Sequence, residues 1–195
     1  MNLQPDLFGA QTSSASLSEG LRYELDVLTP DAEADLVRRI ATLPLKPFEF
    51  RGYLGNRRVV SFGFRYDYTR RAVEASASLP AFLDPVRERA AAFAGRPAEA
   101  FVHVLVTEYA PGASIGWHRD KPEFGDVVGV SLLAPCRLRF RRKAAAGWER
   151  AALTVAPRSA YLLSGPARHE WQHSIPAVEA LRYSITFRTR STRPP

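Results

Sequence analysis

The sequence predicts an α+β protein, mainly β, in which N-terminal helices support a C-terminal antiparallel β-barrel. Apolar residues recur at helical spacing before residue 95, and short apolar segments separated by turn residues follow from residue 101. The 195-residue chain is 46% hydrophobic and 11% aromatic, which is enough for one full core. We therefore expect one domain over residues 21–195, preceded by a flexible polar tail over residues 1–20.

The first predicted elements are a strand and two helices. Residues 23–28 alternate as in a short strand. Thr29, Pro30 and Asp31 then form a helix start, with a capping hydroxyl, a proline at the first helical position and an acid in the first turn. This helix should end near Pro44. A second helix is expected from about residue 81 to residue 94, because Gly95 is a typical stop.

The second half of the chain predicts a series of strands. They lie at residues 101–109, 127–133, 136–142, 150–155, 160–164, 171–175 and 181–188. Short strands at this spacing are typical of a sandwich or barrel. Between the two helices, residues 48–68 are dense in aromatic residues and arginines, and glycines interrupt them.

The charge of the chain favours an anionic partner such as nucleic acid. Its formal net charge is +7, and only three of its 27 basic residues are lysines. A GC-rich coding bias is the alternative explanation for the arginines. One cysteine, Cys136, excludes an internal disulfide framework, and no apolar stretch approaches the roughly 20 residues of a membrane span. The N-terminus shows no secretory signal, so we expect a protein of the cytoplasm.

His118 and Asp120 begin the strongest candidate for a metal site. Residues two apart on an extended segment project to the same side, so both can contact one ion. His173 is the leading candidate for a third ligand, His169 ranks second, and His103 is expected inside the barrel as a hydrogen-bonded residue. Two histidines and one carboxylate are the ligands of non-haem Fe(II) oxygenases. The alternative for the His-x-Asp pair alone is a loop histidine capped by an aspartate.

Arg182 and Arg188 lie on one side of the last predicted strand, and the other side is apolar. If the apolar side packs under the helices, both arginines point into the barrel. Buried arginines are costly unless they hold an anion, and a dicarboxylate would satisfy them. Tyr109 is placed to donate its phenol to the same carboxylate. An exposed edge strand with solvated arginines is the alternative.

Together these segments resemble the AlkB family of Fe(II)/2-oxoglutarate dioxygenases. The matching segments are Tyr109–Asp120, His173–Ile175 and Arg182–Arg188, and residues 57–63 resemble the nucleotide-recognition lid of that family. The resemblance implies a double-stranded β-helix, or jelly-roll, core over about residues 101–190, with N-terminal helices and a lid over about residues 48–68.

The resemblance also implies the cofactors Fe(II), 2-oxoglutarate and O2. Iron would be held by His118, Asp120 and His173. The residues implied for 2-oxoglutarate are Tyr109, Thr107, Arg182, Ser184 and Arg188. Thr107 and Ser184 stand where the family often has Asn. The implied reaction is oxidative removal of an N-alkyl group as formaldehyde, with succinate and CO2 as the other products.

Substrate contacts are expected from the lid and from the turn after the His-x-Asp pair. An enzyme that acts on a base must flip it out, stack it and read its edge. The candidates are Arg51, Arg57, Arg58, Phe62, Tyr66 and Glu123, and packing of Phe62 on the barrel is the alternative for that residue. The alternating arginines of residues 137–141 would follow a phosphate backbone or form a solvated sheet surface.

Three functional hypotheses follow. The first is dealkylation of alkylated nucleic acid, with DNA favoured over RNA and DNA repair as the role. The second is an AlkB-like oxygenase acting on protein side chains or a small molecule, and the third is a non-catalytic barrel that binds an anion or nucleic acid. Residues Gln4–Phe8 resemble the peptide by which bacterial proteins dock on the sliding clamp. We expect a monomer with no membrane contact, in the bacterial cytoplasm.

Overall fold

The computed structural model describes residues 19–50, 53–67, 72–75 and 77–192. Most of the predicted tail, including Gln4–Phe8, lies outside the described residues. The described chain forms two antiparallel sheets with helices packed on the larger one, which confirms the predicted fold class.

Both predicted helices form for the local reasons that predicted them. Helix α1 spans Pro30–Ile40, and the Thr29 hydroxyl caps it by accepting a hydrogen bond from the Ala32 N–H at 3.2 Å. Helix α2 spans Asp84–Ala94 after a 3-10 turn and ends at Gly95, whose φ of 66° is left-handed. Neither these nor any other helix in the described ranges has the length and apolar character of a membrane span.

The strands follow in chain order. They are β1 (Leu21–Glu24), β2 (Lys46–Phe50), β3 (Tyr53–Asp67), β4 (Ala72–Ala75), β5 (Phe101–Tyr109), β6 (Ile115–His118), β7 (Phe124–Leu132), β8 (Cys136–Ala144), β9 (Gly147–Val155), β10 (Ala160–Leu163), β11 (Gln172–Ile175) and β12 (Arg182–Arg190). A short helix, α3 (Gly165–His169), lies between β10 and β11. Among the described residues, the larger sheet has the order β1-β10-β7-β12-β5-β3-β2 with β4 paired to β3, and the smaller has the order β6-β11-β8-β9.

The structure differs from the sequence prediction in three places. The first strand ends at Glu24 instead of residue 28, and Asp26 has a left-handed φ of 52° that breaks the extended chain. Strand β6 is not predicted, because its four residues are too few to show an alternating pattern. Helix α3 forms where the sequence predicts a turn at Gly165-Pro166, since proline is tolerated in the first helical turn.

The main core lies between the helices and the larger sheet. Strand β12 pairs with β5 along one edge and with β7 along the other, so it lies in the interior of the larger sheet. Tyr183, Ile185 and Phe187 point into the main core with residues of α1 and α2. The opposite side of β12, which carries the two arginines, is also buried. A second apolar cluster, between the two sheets, includes Tyr109 and Phe140.

Arg168 of α3 fixes the turn that follows Asp120. Its side chain is buried and donates from Nε to the Gly125 carbonyl at 2.8 Å and from Nη2 to the Lys121 and Phe124 carbonyls at 2.6 and 2.7 Å. Three carbonyl groups of one turn therefore converge on a single guanidinium, which holds the backbone next to Asp120.

Replacing Arg168 with Met should destabilise the fold, because three carbonyls then lose their donor. We expect the free energy of unfolding to fall by about 3 kcal/mol, measured by chemical denaturation. The Lys variant keeps the charge and should lose less. Arg38→Met, on an exposed face of α1, is the control and should change stability little. A loss below about 1 kcal/mol for Arg168→Met would show that its three hydrogen bonds do not hold the turn in place.

Candidate metal centre and anion pocket

Two histidines face each other across neighbouring strands of the smaller sheet. His118 ends β6 and is the direct partner of His173 on β11. Their ring centroids are 4.2 Å apart. The Nδ1 atom of His118 lies 2.8 Å from the Gly116 carbonyl oxygen. Because a carbonyl only accepts, Nδ1 carries the proton and Nε2 keeps its lone pair.

Asp120 brings a carboxylate to the same place. Its Oδ2 atom is 4.0 Å from Nε2 of His173, and its Oδ1 atom accepts hydrogen bonds from Nη2 and Nε of Arg188 at 2.8 and 3.1 Å. Burial acts to raise the pKa of Asp120, but the charge of Arg188 together with His173, His118 and Arg168 outweighs burial and holds the pKa below its ordinary value. Asp120 is therefore ionised at neutral pH.

Both imidazoles are neutral at the same pH. Burial, followed by the neighbouring His118, lowers the pKa of His173 to about 3, and burial also lowers the pKa of His118. Neutral imidazole and ionised carboxylate are the states in which these groups bind metals. The second-ranked histidine, His169, ends α3, and its carbonyl accepts a hydrogen bond from Arg119 at 3.1 Å.

The three side chains fit a non-haem iron ion by donor type. Two imidazole nitrogens and one carboxylate oxygen leave further coordination positions to other ligands. Within the described part of the chain, no three His, Cys, Asp or Glu side chains have their donor atoms already arranged as around an ion. One oxygen of Asp120 is directed to Arg188 and the other faces His173, so the carboxylate is shared between the arginine and the centre.

Arg188 connects the candidate metal centre to His103 on β5. Its Nη1 atom is 3.2 Å from Nδ1 of His103. A guanidinium has only donors, so Nδ1 accepts and His103 is neutral. Burial, followed by the charge of Arg188, lowers the pKa of His103 to about 3. This confirms His103 as a hydrogen-bonded residue inside the barrel.

Arg182, at the other end of β12, forms a separate pocket for an anion. Its side chain is 1% exposed, and its Nη2 atom donates to the Ser131 hydroxyl at 2.9 Å. The Nε and Nη1 atoms have no hydrogen-bond partner among the described residues. The guanidinium lies 4.8 Å from the ring centroid of Tyr109. A buried guanidinium with two free donors is expensive, and an anionic carboxylate bound beside Arg182 would supply charge-assisted hydrogen bonds to it.

Polar and aromatic residues line the space next to this pocket. Thr107 and Ser184 are buried partners on β5 and β12, and Tyr109 is the partner of Arg182. Burial, followed by Tyr109, raises the pKa of Tyr161, and Asp120 raises it further, whereas the charge of Arg182 lowers it. Tyr161 is therefore within electrostatic reach of both the anion pocket and the metal centre. This arrangement fits 2-oxoglutarate, a short dicarboxylate with one end for a metal and the other for an arginine.

The two adjacent arginines of the predicted lid lie on opposite sides of β3. Arg57 is the strand partner of Tyr109, lies 4.0 Å from the ring centroid of Phe48, and is one of the charges that lower the pKa of His118 after burial. Arg58 instead makes a bidentate ion pair with Glu108 at 2.7 and 2.8 Å. The predicted substrate role therefore has geometric support for Arg57, whereas Arg58 is directed away from the metal centre.

The remaining predicted substrate residues have different surroundings. Phe62 is buried in the main core with residues of α1 and α2, as the packing alternative expects. Glu123, in the turn after Asp120, has a buried Oε2 atom with no hydrogen-bond partner among the described residues. Arg51 and the side chain of Tyr66 lie outside the described part of the structure.

Sequence reasoning does not identify Ser131 and Tyr161 as part of the site. Ser131 does carry a signal, because it is a hydroxyl residue within the otherwise apolar segment 127–132 of β7. Tyr161 carries none, since a tyrosine in a short buried strand is usually a core residue.

Comparisons with known proteins agree with this geometry. A family model for the 2OG-Fe(II) oxygenase superfamily matches residues 20–188. The Alkylated DNA repair protein ALKBH8 homolog of Arabidopsis thaliana is 32% identical over 147 residues, which cover 63% of this chain and 42% of that relative. Uncharacterized protein L905 of Acanthamoeba polyphaga mimivirus is 29% identical over 98 residues, covering 44% of this chain and 46% of that protein. The chain therefore spans less than half the length of both relatives.

A solved structure, that of OsALKBH1, has the same fold. Its TM-score is 0.66 at 18% sequence identity, and the match covers 88% of this chain and 97% of that one. The family match, residues 20–188, contains the metal centre and the anion pocket. The chain belongs to the 2OG-Fe(II) oxygenase superfamily, whose members use Fe(II), 2-oxoglutarate and O2, and the proteins that it resembles include homologues named for the AlkB family.

Proposed function

We propose that this dioxygenase oxidatively removes N-alkyl groups from bases in nucleic acid, with alkylated DNA as the preferred substrate. The main support is the position of Arg57, which stacks on Phe48 and lies close enough to His118 to affect its pKa. A cation on an aromatic ring beside the metal centre suits a phosphate and a stacked base. The net charge of +7 and the name of the Arabidopsis relative, an alkylated DNA repair protein, agree with this proposal.

The residues of the chain have distinct roles in this reaction. When bound, iron with 2-oxoglutarate and O2 supplies the oxidation of the alkyl carbon, which leaves as formaldehyde while 2-oxoglutarate becomes succinate and CO2. His118, Asp120 and His173 would hold the metal, and Arg188 orients the Asp120 carboxylate. Arg182 would bind the distal carboxylate of 2-oxoglutarate in a pocket closed to water.

Glu123 supplies a contact to the substrate in this proposal. Its buried Oε2 atom accepts from no described residue, and an unpaired buried acceptor is costly. The exocyclic amine or ring N–H of a flipped base would satisfy it, while Arg57 holds the adjoining phosphate. Only one acid is present in this turn, Lys121-Pro122-Glu123, so the recognition of the base edge depends on Glu123.

The central test is a dealkylation screen with formaldehyde as the readout. The protein is incubated with iron and 2-oxoglutarate and offered N-methylated single-stranded DNA, N-methylated RNA or N-methylated peptides. We expect release from nucleic acid, most from DNA, and a loss of at least about 100-fold in Asp120→Asn and His118→Ala. Arg38→Gln, far from the centre, should retain full activity. Release from the peptides alone would overturn the proposal in favour of protein side chains.

Arg182 should be needed for 2-oxoglutarate and not for folding. We expect Arg182→Met to raise the KM for 2-oxoglutarate by about 100-fold or more, because two charge-assisted hydrogen bonds are lost. In the absence of 2-oxoglutarate, the same variant should be at least as stable as the wild type, because it removes a buried charge with one hydrogen bond. A destabilised variant with an unchanged KM would show that Arg182 is only structural.

The neighbouring lid arginines should give opposite results. Arg57→Gln should raise the KM for methylated oligonucleotide by about tenfold with unchanged stability, because it loses a phosphate contact. Arg58→Gln should keep the KM and lower the denaturation midpoint, because Glu108, which also accepts a hydrogen bond from Tyr183, loses its cationic partner. The two variants remove the same charge, so an equal rise in KM would contradict the placement of Arg57 at the site.

A further inference from the structure

The outer side of the smaller sheet carries a stack of arginine and tryptophan side chains. The Arg141 guanidinium lies between two indoles, 4.5 Å from the ring of Trp117 and 4.3 Å from the ring of Trp148. Its Nε atom donates to Gln172 at 2.7 Å, which fixes the plane of the group. The Arg139 guanidinium lies 5.2 Å from the ring centroid of Trp117. Trp148 is 42% exposed, so one end of the stack is open to solvent.

This side of the sheet is also strongly positive. Alternation and strand pairing put five cations on the same side of β8 and β9, and these are Arg137, Arg139, Arg141, Lys143 and Arg150. We call the surface formed by these cations with Trp117 and Trp148 the Arg–Trp face. Arg141 is directly opposite Arg150, an arrangement that is unfavourable in an antiparallel pair unless an anion lies between the groups.

None of these cations is paired with an acid among the described residues. Arg142, on the opposite side of the same strand, shows the contrast. It pairs with Glu149 at 2.7 Å and Glu170 at 2.6 Å. Carboxylates therefore balance the cation on one side of β8 and leave the other side unbalanced.

We propose that the Arg–Trp face binds single-stranded nucleic acid at a second site, separate from the metal centre. Cations two residues apart on a strand are about 6.8 Å apart, so they form a regular row for a sugar-phosphate backbone. The exposed Trp148 ring is a platform on which an unpaired base stacks. A lipid surface offers negative charge but no flat ring for this stack, and an acidic protein offers no regular row of phosphates. The choice of nucleic acid as occupant rests on the proposed function.

The position of the face explains how both sites serve one polymer. His118 and Trp117 are adjacent on β6 and therefore point to opposite sides of the sheet. Likewise, His173 lies between Gln172 and Ser174, which contact Arg141 and Arg139 on the outer side. A strand bound to the outer face leaves the interior of the barrel free for an alkylated base.

The test measures binding of a fluorescein-labelled, unmethylated single-stranded oligonucleotide to the full chain by anisotropy, without iron or 2-oxoglutarate. Arg137→Gln/Lys143→Gln/Arg150→Gln removes three cations whose side chains have no hydrogen bond, ion pair or ring contact with another described residue. We expect affinity to fall by about tenfold or more, and the slope of log K against log salt to decrease by about 2 for three lost phosphate contacts. Trp148→Ala should weaken binding about fivefold or more with the slope unchanged.

A matched triple variant on the helices controls for net charge. Arg38→Gln/Arg39→Gln/Arg87→Gln removes the same charge from α1 and α2. It should retain wild-type affinity within about twofold. Equal weakening by both triple variants, or no weakening by the Arg–Trp variant, would overturn the proposal. The proposal would also be overturned if the protein bound mixed vesicles of phosphatidylserine and phosphatidylcholine as tightly as it binds the oligonucleotide.

Turnover of a free N-methylated nucleoside separates this proposal from the proposed function. The Arg–Trp triple variant should dealkylate the nucleoside at the wild-type rate, because no mutated residue reaches the metal centre. Oligonucleotide binding that depends on the face, with no dealkylation of any nucleic acid, would support the second site and reject the proposed function. Dealkylation of nucleic acid without binding that depends on the Arg–Trp face would support the proposed function and reject the second site.

Discussion

The burial of two arginines on one strand is the constraint on which the site depends. Strand β12 is covered on both faces, so Arg182 and Arg188 cannot reach bulk water. Arg188 is neutralised internally by Asp120 and hydrogen-bonded to His103. Arg182 has one internal hydrogen bond and two free donors. In the proposed function, this asymmetry assigns the external carboxylate to the Arg182 end of the barrel and the metal to the Asp120 end.

Most of this site could be predicted from the sequence because its signals are local. Alternation along β12 separates the arginines from the apolar side chains, and the spacing of His118 and Asp120 puts both on one side of an extended segment. Neither inference needs a knowledge of tertiary contacts. The remaining ligand, His173, comes from a distant segment, and the ladder between β6 and β11 brings it opposite His118.

The roles of the lid residues could not be predicted from the sequence in the same way. Arg57 and Arg58 are equivalent in composition, and only the pairing of β3 with β5 decides which one faces the metal centre. A slip of one residue in that register would exchange them. Phe62 lies on the same side of β3 as Arg58, and this side faces the main core. Ser131 and Tyr161 join the pocket through contacts between strands far apart in sequence, and only Ser131, a hydroxyl residue in an apolar segment, carries a local signal.

The smaller sheet combines a metal centre on its inner side with a charged surface on its outer side, and β11 connects them. Arg139 donates to Ser174 and Arg141 donates to Gln172, the residues on either side of His173. Loss of either arginine therefore affects the position of a metal ligand as well as the binding of an anion. Arg137, Lys143 and Arg150 make no such contact in the described structure. For this reason only these three cations can separate the role of the outer surface from that of the metal centre.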